Sequence, residues 1–267
     1  MMFTADYHLH SMFSFDGHDT IEHICETAIQ KGLDEIVVTD HMDLYSNKPY
    51  EYILDCPALY AELKRCQALF QDRLTVRAGI EYGQPMVNPS QAQKFLQDYP
   101  DLDFIIGSVH NMENDIDVGE YDFTRCDPYT VYDHYLDWLI LFAEDYEYDV
   151  IGHITYPLRY MAEAGISLNL SAFLFKIRHL YSIIIERGKG IELNVSGYRQ
   201  ALKEPMPNAI LLHLYRECGG RILTIGSDAH YCRDIGSHIR QGQALAKAEG
   251  FSQITRFEKR IPIFVDI

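Results

Sequence analysis

The run Asp6-Tyr7-His8-Leu9-His10-Ser11 lies five residues into a chain of 267, and its reading decides the fold. It closes a short β-like stretch, Phe3 to His8, and strand alternation sends His8 and His10 to the same side of the backbone. Two imidazoles so placed can clasp one metal ion. The same event recurs down the chain: Thr39-Asp40-His41, Ile80-Glu81, Val109-His110, Gly152-His153 and Ser227-Asp228-Ala229-His230 each stand at the end of an apolar run. A metal-ligand residue type closes strand after strand.

Working outward, seven strands are expected at Phe3 to His8, Glu35 to Thr39, Leu74 to Glu81, Phe104 to Val109, Asp149 to Ile154, Gly190 to Val195 and Arg221 to Ser227. Helical patterns fall between them, over Thr20 to Gln30 (Asp19 and Glu22 in capping-box spacing), from Pro57 on, over Gln91 to Gln97, Pro128 to Glu147, Ser171 to Arg187, Asn208 to Glu217 and His238 to Glu249. Strand and helix in alternation predict a parallel sheet wrapped by helices. The least regular segments, 42 to 56, 83 to 90, 111 to 127 and 197 to 207, follow strand ends. In a parallel α/β barrel those loops form the active face.

Composition narrows the class. With 47 % hydrophobic residues the chain can bury a sizeable core, and with no repeat or linker it is expected to form one domain over 1–267. A formal net charge of −16 argues against a basic surface that wraps nucleic acid. No apolar run is long enough to span a bilayer and no signal-peptide pattern opens the chain, so a cytoplasmic location without a membrane partner is expected. The six cysteines (Cys25, Cys56, Cys66, Cys126, Cys218, Cys232) contain no CxxC pair and read as reduced thiols.

Of twelve histidines, six (His8, His10, His41, His110, His153, His230) sit at strand ends, and six (His18, His23, His134, His179, His213, His238) read as surface or packing residues. Glu81 and Asp228 join the first group. Gathering so many ionisable groups in one place is costly unless they pair or bind metal. Imidazole and carboxylate donors suit zinc, iron and manganese, and the absence of cysteine from the set argues for an open, catalytic centre.

These motifs, Asp6 to Ser11, Thr39-Asp40-His41, Glu81, Gly107-Ser108-Val109-His110, Gly152-His153 and Gly226 to His230, resemble the polymerase and histidinol phosphatase (PHP) superfamily over nearly the whole chain. The resemblance implies an α/β fold, a distorted (β/α)7 TIM-like barrel, and three metal ions. His8, His10, Glu81 and Asp228 would hold one, Glu81 would bridge to a second held by His110 and His153, and Asp16, His41 and His230 would hold the third. Many members carry histidine where this chain has Asp16.

Such a cluster can bind a phosphoryl oxygen and acidify a bridging water for in-line attack, with Glu81, Asp228 and His230 nearest the chemistry. Asp40 and His230 are the two residues considered as proton donor. Arg159 and Arg199 are expected to grip the phosphate, and the segments around them resemble the histidinol-phosphatase branch. The implied reaction is hydrolysis of a small phosphate ester, L-histidinol phosphate. The alternatives are another small-molecule phosphatase or phosphodiesterase, or a silent PHP-like binding module. The acidic loop Asn111 to Asp127, or the segment after Glu81, is expected to line the substrate pocket and favour a substrate with a cationic amine, with Asp115 and Asp117 as the pair whose neutralisation would test it.

Overall fold

The computed structural model describes residues 3–46 and 54–267. Its main sheet runs in the order β1 (Ala5–Leu9), β2 (Glu35–Val38), β4 (Thr75–Gly83), β5 (Phe104–Ser108), β6 (Val150–Ile151), β7 (Gly190–Asn194), β8 (Leu223–Gly226), all parallel, with β3 (His41–Asp43) paired to the upper half of β4. The ends meet: the His10 amide donates to the Ala229 carbonyl at 2.9 Å, and Leu9 and Ala229 form a parallel bridge. Closure makes the sheet a barrel and removes its free edges.

The seven expected strands are all present, three of them starting at the expected residue and the other ends shifted by one to three residues. Side chains alternate cleanly along them. Ile36, Val38, Ile105 and Ile151 pack outward against the helices, whereas Val37, Phe104, Ile106 and Val150 fill the barrel with Ala5 and Tyr7. Strand β1 breaks the alternation once. Between Asp6 and Leu9 it carries one residue more than the Ile36–Val38 stretch it pairs with, and this bulge turns His8 inward directly after Tyr7. Bulges beside active sites serve this re-aiming purpose.

The helices α1 (Ile21–Gln30), α2 (Cys56–Phe70), α3 (Pro89–Asp98), α4 (Pro128–Asp145), α5 (Pro157–Glu163), α6 (Leu174–Glu186), α7 (Ala209–Glu217) and α8 (Ile239–Ala248) surround the barrel. Three features depart from the sequence expectations. Helix α1 is capped by Thr20, whose hydroxyl accepts from the His23 amide, while Asp19 reaches across to the Cys232 amide. Helix α5 stands where a loop was expected, opened by Pro157 at a position whose missing N–H costs nothing. A hairpin, β9 (Gln253–Glu258) and β10 (Ile261–Asp266), turns through Lys259 and Arg260, both with positive φ as a two-residue hairpin turn requires. It closes the N-terminal end of the barrel, with the Phe257 ring 5.0 Å from Phe104. Of the irregular segments, 47–53 lies outside the described residues; the other three contain short 3-10 turns.

Candidate metal centre

All nine residues expected as ligands are brought to the C-terminal mouth of the barrel. Glu81, at the inward position of β4 between outward Ile80 and Tyr82, is the hub. Its Oε2 lies 3.2 Å from His8 Nε2, 3.4 Å from His10 Nε2 and 3.1 Å from His41 Nδ1. Its Oε1 lies 2.8 Å from His153 Nε2 and 3.1 Å from His110 Nε2. Asp228 Oδ1 approaches His8 and His10 at 3.8 and 3.6 Å. Toward solvent, Asp16 lies 3.6 Å from His41 Nε2 and 3.1 Å from His230 Nε2, and the His10 ring stacks on both His41 and His230. Four overlapping donor groups result: His8, His10 and Glu81; Glu81, His110 and His153; His10, Asp16, His41 and His230; and His41, Asp43 and His110.

Local backbone chemistry sets these positions. A Cβ on Gly226 would come within 2.4 Å of the His8 Cβ and 2.5 Å of Glu192 Oε1, so glycine there makes room for the first ligand. Asp228 takes φ +53°, a left-handed conformation that non-glycine residues adopt at a cost and that recurs at functional sites. It aims the carboxylate back over the barrel axis. His41, expected just past the end of the strand Glu35 to Thr39, opens a short strand of its own, β3, after a break at Thr39-Asp40.

Residues that sequence reading did not single out orient the imidazoles. Glu192 accepts from His8 Nδ1 at 2.7 Å and from the His153 amide at 3.0 Å; Asp43 lies 3.1 Å from His110 Nδ1; Ser14 Oγ lies 3.1 Å from His10 Nδ1. Each partner leaves the opposite ring nitrogen facing the centre, the arrangement by which carboxylates fix metal-binding histidines. A signal for Glu192 is present in the sequence: a carboxylate flanked by Ile191 and Leu193 within the strand Gly190 to Val195. Asp40 is fully committed. It accepts from the Ser11 amide and the hydroxyls of Ser11 and Ser14, each at 2.7 Å, which ties it to the loop after β1.

The electrostatics identify what the cluster lacks. Burial pushes Glu81 upward, but His8, His110 and His41 outweigh it and hold its carboxyl well below the ordinary value; Asp228 is lowered in the same way against its own burial, by His8, His10 and His230. Conversely, burial lowers His8, yet Glu192, Glu81 and Asp228 carry it well above the usual imidazole range, and Glu81 and Asp43 bring His41 to about 9. His10 is driven down by burial and by the neighbouring His230 and His41. The carboxylates thus hold protons on some imidazoles while others repel one another. The buried Nε2 atoms of His8 and His10 have no hydrogen-bond partner. Cations at these positions would take the nitrogen lone pairs and neutralise the carboxylates together, so the donor set fits divalent metal ions.

Both arginines border this mouth. Arg159 is on the first turn of α5 rather than in a loop, its guanidinium 5.3 Å from the Tyr156 ring and 4.9 Å from the Tyr160 ring, with Nε buried and unpaired. Arg199 follows a 3-10 turn after β7. Its Nη2 donates to the Ser227 carbonyl at 2.8 Å, and its buried Nη1 has no partner. The acidic loop divides. Asp115 accepts from the Ser46 amide and hydroxyl, Glu113 pairs with His134, and Asp127 caps α4; none of these uses points into the centre. Asp117 is half-buried near His110 and Asp43, and burial raises its carboxyl above the usual value.

A parallel α/β barrel whose C-terminal mouth gathers imidazoles and carboxylates into several three- and four-donor groups defines a metal-site barrel protein. The chain belongs to the PHP family: the PHP-domain sequence model matches residues 6–196. It is 28 % identical to histidinol-phosphatase of Lactococcus lactis subsp. lactis over 255 residues, 94 % of this chain and 93 % of that one. It is 26 % identical to histidinol-phosphatase of Bacillus subtilis over 263 residues, 86 % and 95 % of the two chains. Its fold matches the crystal structure of the L. lactis histidinol phosphate phosphatase complexed with zinc, L-histidinol and phosphate, with a TM-score of 0.87 at 25 % identity, covering 98 % of this chain and all of that one. Among the described residues no helix is long and apolar enough to cross a membrane.

Proposed function

We propose that this chain is a metal-dependent phosphomonoesterase that hydrolyses L-histidinol phosphate to L-histidinol and phosphate. The observation that carries this reading is the convergence of six imidazoles on Glu81 and Asp228. A relative of the same fold holds zinc, L-histidinol and phosphate.

On this reading, three metal positions are assigned to the overlapping donor groups. His8, His10, Glu81 and Asp228 would hold the first, Glu81, His110 and His153 the second, and Asp16, His41 and His230, beside His10, the third. Bound metal supplies an acidified water as nucleophile and positive charge for the phosphoryl oxygens. The protein's own work is positional. Glu81, whose Oε2 faces His8, His10 and His41 and whose Oε1 faces His110 and His153, would serve both inner positions. Arg159, resting on two tyrosine rings, and Arg199, tethered to the Ser227 carbonyl, each keep a guanidinium nitrogen free for phosphate oxygens, where a planar fork donates paired bonds. His230, with its side chain 25 % exposed, stands at the solvent edge where the leaving alcohol departs. A cytoplasmic setting suits such an enzyme.

The direct test is phosphate release from L-histidinol phosphate, beside sugar phosphates, nucleotides and an aryl phosphate, on metal-analysed protein before and after chelation. Selective turnover of histidinol phosphate, abolished by chelator and restored by zinc or manganese, is the expected result. Metal-dependent turnover of the other esters alone would keep the centre and discard the substrate.

A further inference from the structure

Outside the barrel mouth one more group of metal-competent side chains converges: Asp19, His23 and Cys232, whose donor atoms all lie within 4.8 Å of one another. We propose that these three residues form a separate, thiolate-bearing metal site that takes zinc or another divalent ion of similar softness. Carboxylate, imidazole and thiol together are a zinc-type donor set, and three protein ligands with one open position is a common zinc arrangement. The barrel centre uses nitrogen and oxygen donors only, so the two sites differ in chemistry.

The geometry is held from three directions. Asp19 ends the loop that carries Asp16, and its Oδ2 accepts from the Cys232 amide at 2.7 Å. Its Oδ1 lies 2.9 Å from His23 Nδ1, on the first turn of α1. Cys232 is buried, 8 % exposed, and its backbone is fastened to α1 through Lys31, whose Nζ donates to the carbonyls of Arg233 and Ile235 at 2.7 Å each. His23, by contrast, is 57 % exposed and open to solvent. A buried sulfur, a fixed carboxylate and an accessible imidazole give an ion an entry path and an anchored end. On binding, a metal–sulfur bond replaces the thiol S–H and the proton leaves to solvent; the His23–Asp19 hydrogen bond gives way as both donate lone pairs to the ion.

Position gives the site a consequence. Asp19 is three residues past Asp16 and Cys232 two past His230, and those two are the outermost ligands of the barrel centre. An ion across Asp19 and Cys232 ties together the two loops that form the third metal position.

The test uses the full-length protein, stripped of metal and titrated with cobalt(II). A sulfur-to-cobalt charge-transfer band in the near ultraviolet identifies a thiolate ligand, and no other cysteine among the described residues belongs to a three-donor group. The expected result is that the wild-type protein develops this band and binds one equivalent more than Cys232→Ser, which keeps the ligand-field absorption of the barrel centre and its turnover once that centre is filled. His23→Gln, a change on an exposed helix surface, should keep the fold and weaken the thiolate-bearing site by roughly 10- to 100-fold. A wild-type protein with no such band, a band undiminished in Cys232→Ser, or equal metal content in the two proteins overturns the proposal.

Discussion

The two ends of the barrel both bury carboxylates, and they treat them oppositely. At the N-terminal end Glu35 is met by Arg77 and Arg256 as well as the Tyr7 hydroxyl, and Asp149 by Arg260 and Lys189, under the β9–β10 hairpin. Each negative charge there has a permanent cation bonded to it. At the C-terminal end Glu81 and Asp228 face imidazoles, which are neutral unless they take up protons at the expense of their neighbours. Buried charge with fixed counter-charge is architecture; buried charge left to titratable partners is a seat for a cation from outside. The contrast separates structure from function without reference to any relative.

The largest effect that could break this distinction is at the hub. Glu81→Gln should lose turnover of L-histidinol phosphate by at least about a thousandfold, because it weakens two metal positions at once and metal stabilisation of the transition state is worth several kcal/mol. Thermal unfolding and metal analysis on the same preparation should show a folded, metal-poor protein. Substantial activity in this variant would mean that the mouth carboxylates are structural after all. At the other end the prediction reverses: Arg77→Met leaves Glu35 and Asp103 short of a cation and should destabilise the fold by about 2–4 kcal/mol, read as a lower denaturation midpoint. Its turnover per folded molecule should stay near that of the wild type. An activity loss without a stability loss would refute the assignment.

The barrel and its centre were legible in the sequence for one reason. Parallel strands buried on both faces leave runs such as Glu35 to Val38, and a polar residue ending such a run marks the mouth. Eight of the nine candidate ligands stand at or just past such strand ends, whereas Asp16, in the turn after β1, is singled out only by the family resemblance. What was missed has long-range causes. The hairpin at 253–266 is shaped by Arg260 reaching Asp149 and Phe257 reaching Tyr7, partners more than a hundred residues distant. The short helix α5 shows too few turns for periodicity to declare it. Glu192, Asp43 and Ser14 each act through one imidazole whose orientation only the fold reveals. Asp115 was read as a substrate contact because charge alone does not say that Ser46 already occupies it.

Intermediate effects sharpen the boundary between ligand and support. Glu192→Gln keeps the shape of β7 but weakens the acceptor on His8 Nδ1, so metal affinity should fall by roughly 10- to 100-fold, the range for groups that orient metal-binding histidines. Activity should return when metal is supplied in excess. For Arg199→Lys the charge stays and the fork is lost; KM for the phosphate ester should rise by about tenfold, equivalent to about 1.4 kcal/mol, with metal content unchanged.

The smallest expected effect tests whether the acidic loop contributes to selectivity. With Asp115 occupied by Ser46, Asp117 remains the half-buried carboxylate of that loop beside the His110 side of the mouth. An amine-bearing substrate reaching that rim would gain one charge-assisted contact. Exposed or half-exposed charge pairs are worth about 0.2–1 kcal/mol, so Asp117→Asn should raise KM for L-histidinol phosphate by no more than about fivefold and leave an uncharged alkyl phosphate unaffected. The ratio of the two kcat/KM values is the quantity to measure, since any general disturbance of the His110 position would lower both. An unchanged ratio would reduce the whole of 111–127 to scaffold and place amine recognition elsewhere on the rim.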